Sequence, residues 1–476
     1  MIRDRYDPVC LFAPVPQLGL AFEPELAELD RLLEDDALVQ FVKTDLARRR
    51  PRSLTTGRPS TPVEVVLRLL VVKHLYQWSY AQTEYFVNDS LVLRQFCRLG
   101  LAPVPDDTTL LRWANLLHPE TLHRLLARVT ALARSLRVTR GRKLRLDSTV
   151  VEADVHHPSD STLLADGVRV LSRLARRTRA VVDRAAAAGG ALWRDRTRSA
   201  KRSARRIGES MARRLRREHP GQRPAGPTGE ADRRELYRRL LAVARTSVRQ
   251  ATRVEAALAA VPGAAAGRLR VALGRFLPLV GQVIRQTERR VLRGERVPAA
   301  EKVLSLFEPH TALIRRGKVR QPAEFGRKVW LDEVDGGIVT RFALLEGNAS
   351  DRLQVAPSLT HHAARFGRPP DLVAADRGAY SPEAEQAATA LGVRRVCLPL
   401  PGHARPARRA HERQRWFRRA RRFRTGIDGR ISLLRRCFGL RRCRYRGEAG
   451  MERRVGWAVV AHDLRAIGRA AARRAA

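Results

Sequence analysis

Three aspartates sit where an acid needs a reason in a chain whose 92 Lys and Arg outnumber 48 Asp and Glu by 44. Asp147 lies inside a strand-like run, Asp376 ends a short apolar one, and Asp428 is enclosed by arginines in a helical segment. Carboxylates that converge from separate elements can hold two divalent cations about 3.5–4 Å apart. Such a pair polarises a scissile phosphate, activates a water or a 3′-hydroxyl and stabilises the leaving oxygen. Hard oxygen donors select Mg²⁺ or Mn²⁺. The plainer reading of the same acids is that they cap helices or partner arginines.

The elements that must carry these acids are legible as periods. Lys143 to Val151 alternates and is rich in β-branched residues, which predicts a strand with Leu144 and Leu146 on one face and Arg145, Asp147 and Thr149 on the other. Further strands are predicted at Lys328 to Val334 and Ile338 to Leu345, joined by Asp335-Gly336-Gly337 as a hairpin turn. Asp371 to Asp376 reads as a short apolar strand; Arg377-Gly378 follows, a turn able to expose a residue at a sheet's carboxyl edge. Ser381 is expected to cap a helix, Gly392 to end it, and Val393 to Leu398 to form another strand. A basic helical segment from Arg405 to Arg436 and an apolar helix near Val455 to Ile467 complete the chain.

The N-terminal half reads differently. Thr61-Pro62-Val63-Glu64 has the form of a capping box, as does Ser79-Tyr80-Ala81-Gln82, and Asp106 and Asp107 precede another helix. These short helices with tight turns suit a helix-turn-helix arrangement, with Arg112 and Asn115 on a solvent-side stripe able to face DNA. Four parts are expected: a lead-in at residues 1–58, a helical DNA-binding domain at 59–137, an α/β domain at 138–157 and 306–476, and a basic helical insertion at 158–305. The fold class is therefore α/β, with a mixed sheet interrupted by the insertion and preceded by an all-α domain.

Charge points to the partner. A net +44 repels itself unless a polyanion neutralises it, and nucleic acid is the obvious one. Eleven Lys and Arg fall in residues 194–217 and seventeen Arg in residues 405–446, the latter interleaved with Trp416, Phe417, Phe423 and Tyr445, whose faces could stack on bases. An apolar share of 44% excludes global disorder. No apolar run approaches a membrane span, and Met1-Ile2-Arg3-Asp4-Arg5 opens no secretory signal, so a cytosolic protein is expected. Cys10, Cys97, Cys397, Cys437 and Cys443 form no CxxC pair, so neither disulfides nor structural zinc is expected, and the thiols read as buried.

The chain resembles the DDE transposases of bacterial insertion sequences. Gly57-Arg58-Pro59, the Thr61 helix, Ser79-Tyr80 and Asp106-Asp107-Thr108-Thr109-Leu110 are similar to that family's helical DNA-binding region. Leu146-Asp147-Ser148-Thr149-Val150-Val151, with His157-Pro158-Ser159-Asp160-Ser161 downstream, is similar to the first-acid motif, and Ala375-Asp376-Arg377-Gly378-Ala379-Tyr380-Ser381 to the second. The third, Tyr-x2-Arg-x3-Glu-x6-Lys, corresponds to Arg421, Arg424, Asp428 and Arg435. The last two acids are 52 residues apart; the first two are 229 apart, and the insertion accounts for the excess. Asp428 in place of Glu is one methylene shorter.

The resemblance implies an RNase H-like catalytic domain and two Mg²⁺ or Mn²⁺ ions held by Asp147, Asp376 and Asp428. It implies terminal inverted repeats bound by the N-terminal helices, DNA contacts from Arg112, Asn115, Arg377, Arg424, Arg430 and Arg435, a homo-oligomer on DNA and residence at the bacterial nucleoid. Two other functions stay open: a DNA-binding protein without activity, which Asp428 favours, and a nuclease that cuts without joining. Asp154, Asp160 and Asp166 read as caps and turns; Asp332, Glu333 and Glu346 as exposed strand-edge charge; His156 and His157 as pointing to opposite faces; His403, His411 and His462 as phosphate neighbours or core.

Overall fold

The computed structural model describes residues 2–5, 22–49, 51–57, 60–182, 193–217, 227–315, 323–403 and 405–475. Cys10 and the Arg58-Pro59 pair lie outside the described residues. The chain forms two compact units, one of residues 1–154 with 314–476 and one of residues 155–313.

A seven-stranded mixed sheet organises the first unit: β1 (Lys143–Ala153), β2 (Ala312–Ile314), β3 (Glu324–Val334), β4 (Ile338–Leu345), β5 (Leu372–Ala374), β6 (Arg395–Cys397) and β7 (Arg442–Cys443). The path runs β2-β3-β1-β5-β6, with β4 also on β3 and β7 also on β1. β1 is antiparallel to β3 and β3 to β4, so β4 runs in the same direction as β1. β5 is parallel to β1 and β6 to β5. The carboxyl ends of β1, β4 and β5 therefore face one edge of the sheet. The expected hairpin forms at residues 335–337, where Gly336 takes φ 84° and a Cβ would meet the Val138 carbonyl at 2.2 Å. The Asp335 carboxylate accepts from the backbone N–H groups of Arg140, Arg142 and Lys143, which fastens the hairpin to the start of β1.

β3 is flanked on both sides, so Asp332 and Glu333 are buried rather than exposed at an edge. Tertiary pairing, which period alone does not reveal, placed this charged strand inside the sheet. Each charge has a partner: Asp332 accepts from Ser358 Oγ at 2.7 Å, and Glu333 meets Arg145 and Arg430.

The N-terminal helices pack with the sheet in the same unit. Ser79 and Gln82 form the expected capping box, and Asp106 Oδ1 caps Asp107–Leu116 through Thr109 N at 2.9 Å. The box expected at Thr61 does not form. Pro62 occupies the N-cap of Val63–Leu75, and the buried Glu64 turns to Arg68 at 3.0 Å instead. The C-terminal helix Gly447–Ala475 buries Trp457, against which His74 stacks at 5.2 Å. His123 stacks on Phe342 of β4 at 4.3 Å.

Residues 405–436 divide into helices Pro406–Arg413 and Arg415–Cys437, broken where Gln414 is extended. Of their aromatic rings, Trp416 and Phe423 are half-buried. Phe417 is buried, and Phe423 lies under the Arg145 guanidinium, 4.9 Å from its ring centroid. Cys97, Cys397 and Cys443 are buried thiols as expected, whereas Cys437 is exposed.

The second unit is a bundle of helices Asp160–Val182, Thr197–Arg217, Pro227–Ala259 and Ala264–Thr287 around Leu164, Leu171, Leu241 and Val280. Arg198, Lys201, Arg202, Arg205 and Arg206 form an exposed stripe on Thr197–Arg217. Asp160 begins its first helix and pairs with Arg290 at 2.8 Å. No helix among the described residues is long and apolar enough to cross a membrane.

Candidate active site

Helix Arg415–Cys437 covers the face of β1 that carries Arg145 and Asp147. Its inner stripe, Phe417, Ala420, Ile427 and Leu434, recurs at helical spacing and is buried. Gly426 permits the close approach, because a Cβ there would lie 2.0 Å from Arg145 Nη1. Arg145 thereby donates to the Phe423 carbonyl at 2.8 Å and holds Glu333 with Nε at 2.8 Å. Arg430 reaches the same carboxylate with Nε at 3.0 Å and donates through Nη1 to His462 Nε2 at 2.7 Å. A guanidinium only donates, so His462 carries its proton on Nδ1, which donates to Asp463 Oδ1 at 2.7 Å. The helix is thus clamped to the sheet by a buried chain of paired charges.

The outer stripe then has a fixed direction. Arg421, Arg424, Asp428 and Arg435 follow at intervals of three, four and seven residues, so they share one face. Asp428 lies in the helix interior and caps nothing. The β1–β5 register sets Lys143 opposite Leu372 and Arg145 opposite Ala374, an offset that brings Asp376 level with Asp147 just beyond the end of β5.

All three acids converge on one guanidinium. Arg424 Nη2 lies 2.7 Å from Asp147 Oδ2 and 4.0 Å from Asp376 Oδ2, and Nη1 lies 3.1 Å from Asp428 Oδ2. Asp147 Oδ1 accepts from Ser148 N at 2.7 Å, and Asp376 Oδ1 from the N–H groups of Gly378 and Ala379 at 2.9 and 3.2 Å. Burial pushes the Asp147 carboxyl up to about 7. Arg424 and the Ser148 N–H pull it back, while the nearby charges of Asp376 and Asp428 push it further up.

These acids border a groove of about 740 Å³ together with Asp351, Lys328 and Arg435. A neighbouring hollow of about 380 Å³ shares Asp376 and is lined by Arg424, Arg377, Arg418, Arg421 and Arg422. With Arg424 between them, no three ligating side chains among the described residues stand close enough to hold one ion in this arrangement. The donor set nevertheless suits a hard divalent cation. It is all oxygen, and the guanidinium stands in as a cation within 4.0 Å of all three carboxylates.

The remaining nominated residues are dispersed. Arg377 is exposed on the turn after Asp376, and Arg435 borders the groove. Arg430 points away from the groove into the clamp. Arg112 is exposed on Asp107–Leu116, where Nη2 donates to Thr108 Oγ1 at 3.3 Å; Asn115 is exposed and its carbonyl accepts from Arg453 at 3.2 Å. Asp351 and Lys328 escaped the sequence reading. The signal available was an acid closing the turn run Gly347-Asn348-Ala349-Ser350 after a strand, in a chain short of acids.

Comparison with curated proteins and with solved structures finds no match to the chain. Residues 21–116, which span the N-terminal helices through Asp107–Leu116, match the family model described as Transposase domain (DUF772), and this similarity ties the chain to transposition.

Proposed function

We propose that the protein is a DDE-type transposase of a bacterial insertion sequence, with an RNase H-like catalytic core that cleaves and rejoins DNA. The observation that carries this reading is the convergence of Asp147, Asp376 and Asp428, from a strand, the turn after a neighbouring strand and a helix, on one cationic centre. The transposase domain match at residues 21–116 supports it independently. The mixed sheet, with one acid on β1 and another just beyond the end of the adjacent β5, supports the RNase H-like assignment, and the short capped helices around Arg112 and Asn115 support a helix-turn-helix-like region that binds the terminal repeats.

Asp147, Asp376 and Asp428 would hold two Mg²⁺ or Mn²⁺ ions, which supply phosphate polarisation and activation of the attacking oxygen. In cleavage, a water oxygen bonds to the scissile phosphorus as the P–O3′ bond breaks, and the 3′-oxygen leaves with a proton. In joining, that 3′-hydroxyl attacks a target phosphodiester and displaces another 3′-oxygen, so bond count is conserved. Arg424 releases the carboxylates and turns its charge to a phosphate. Arg377, Arg421 and Arg435 bind flanking phosphates as fork-shaped donors. Arg430 acts by holding the helix. The assembly is a homo-oligomer on DNA at the nucleoid.

A labelled terminal repeat incubated with Mg²⁺ or Mn²⁺ should be nicked at the element end, and a pre-cut end with a free 3′-hydroxyl should be joined to target DNA. Nicking without joining would establish the nuclease instead. The second reading, a DNA-binding protein without cleavage, is favoured by the short Asp428 and by its pairing with Arg424. Asp428→Glu should hold or raise cleavage and Asp428→Ala should remove it; an Ala variant that cuts like the parent would take Asp428 out of the site.

A further inference from the structure

We propose that Asp351 is a fourth carboxylate of the cation site, supplying through Oδ2 the oxygen that the short Asp428 side chain does not deliver. The inference rests on the metal-dependent reading above.

Topology puts Asp351 in place. β4 runs in the same direction as β1, so the turn Asp351–Gln354 leaves the sheet at the edge where Asp376 follows β5, and it packs on the turn Arg377–Ala379. Lys328 of β3, itself buried, orients the side chain. Its Nζ donates to the Ala349 carbonyl at 2.9 Å and lies 2.8 Å from Asp351 Oδ1. The other oxygen, Oδ2, faces the groove and accepts from Ser148 Oγ, the residue next to Asp147, at 3.2 Å.

Two further observations mark a place for a ligand. Gly378 lies between the second and fourth acids: a Cβ there would stand 3.3 Å from Asp376 Oδ1 and 3.7 Å from Asp351 Oδ2. Oxygens of both acids thus lie against one residue of the turn, with Asp376 Oδ1 held by the Gly378 N–H at 2.9 Å. Thr149, on the same face of β1 as Asp147 and bordering the same groove, is 1% exposed, and its hydroxyl has no hydrogen-bond partner among the described residues. Buried polar atoms are nearly always satisfied, so an unsatisfied hydroxyl on the groove that these acids border marks room for a ligand. Asp351 is also the better enclosed donor, its side chain 15% exposed against 58% for Asp428. A fixed carboxylate loses less freedom on binding an ion than a solvated one.

The test uses the full chain and Mn²⁺ alone, with free ion counted by electron paramagnetic resonance and folding checked by melting temperature. The parent should bind two ions. Asp351→Asn should weaken one of them by about 10- to 100-fold, and Asp428→Glu in the same chain should recover part of that loss. Lys328→Met, which removes the residue that orients Asp351 but leaves its carboxylate, should weaken the same ion less than Asp351→Asn does. Should Asp351→Asn and Lys328→Met lower the melting temperature alike and leave both ions at parental affinity, Asp351 is only an ion-pair residue and the proposal is overturned. In that outcome Asp147→Asn still losing Mn²⁺ keeps the metal-dependent reading intact; a parent that binds no Mn²⁺ overturns both. If Asp351→Asn does not fold, Asp351→Glu, which keeps the charge facing Lys328 while displacing the carboxylate, is read by the same criteria.

Discussion

Arg424 and Arg430 lie six residues apart on one helix, and each binds a carboxylate presented by the central sheet, yet they hold opposite kinds of site. Arg430 shares the wholly buried Glu333 with Arg145 and continues into His462 and Asp463, so every charge in that chain has a fixed partner. Arg424 borders an open hollow, reaches three acids at once, and leaves the carboxylates of Asp376 and Asp428 exposed. Pairing of arginine with acid therefore does not by itself distinguish a structural clamp from the proposed cation site. What distinguishes them is burial: Glu333 is enclosed, whereas Asp376 and Asp428 are exposed.

The largest effect expected from this contrast is on the open side. Asp147→Asn and Asp376→Asn should each lower cleavage by on the order of 10³-fold, with DNA binding unchanged or tighter because a charge that repels phosphate is gone. Cleavage and binding measured on one preparation decide it; cutting at the parental rate would break the comparison. On the closed side, Glu333→Ala leaves two guanidinium groups facing a vacated buried position and should cost about 3–5 kcal/mol of stability, read as a denaturant midpoint. A stable Glu333→Ala protein that binds DNA normally would show that the clamp is dispensable.

A second closed acid sharpens the same point through pH. Burial raises the Asp332 carboxyl to about 6, against the pull of Arg341 and Ser358. A raised folded pKa gives stability that is present below the unfolded value near 4 and is lost as pH rises through about 6. Asp332→Asn should thus gain stability relative to the parent as pH rises from 4 to 7, by at most about 1.4 kcal/mol for each tenfold weakening of the acid, read from denaturant midpoints. A difference that does not vary with pH would mean the burial cost is met in both states. The smallest effect separates two arginines nominated alike from sequence. Arg377→Ala should reduce the log–log salt dependence of DNA binding by about 0.9, the share of one phosphate contact, with melting unchanged, whereas Arg430→Ala should lower melting instead. The reverse pattern would exchange their roles.

Much of the fold was legible from period and punctuation. The alternation at Lys143 to Val151 located β1, Asp335-Gly336-Gly337 located the hairpin, and Ser79, Asp106 and Ser381 marked helix starts where their side chains do cap. Thr61 misled because Pro62 lay at the cap itself and the buried Glu64 found stronger partners in arginines. Asp332 and Glu333 misled because nothing local says whether a strand will be central or at an edge. In the site, the spacing of Arg421, Arg424, Asp428 and Arg435 fixed a common helical face, but Arg430 falls on the opposite one, and arginine counting could not separate them.

By itself the sequence determined which residues could do chemistry, which segments would be strands or helices, and that the charge calls for a polyanionic partner, because these follow from residue type, local period and total charge. Only the tertiary structure decided that a register between strands far apart in the chain sets Asp376 level with Asp147, that Gly426 lets Arg145 lock the helix carrying Asp428, and that Asp351 borders the same groove from the turn after β4. Those outcomes depend on distances between segments remote in sequence, which side-chain packing sets and no local pattern encodes.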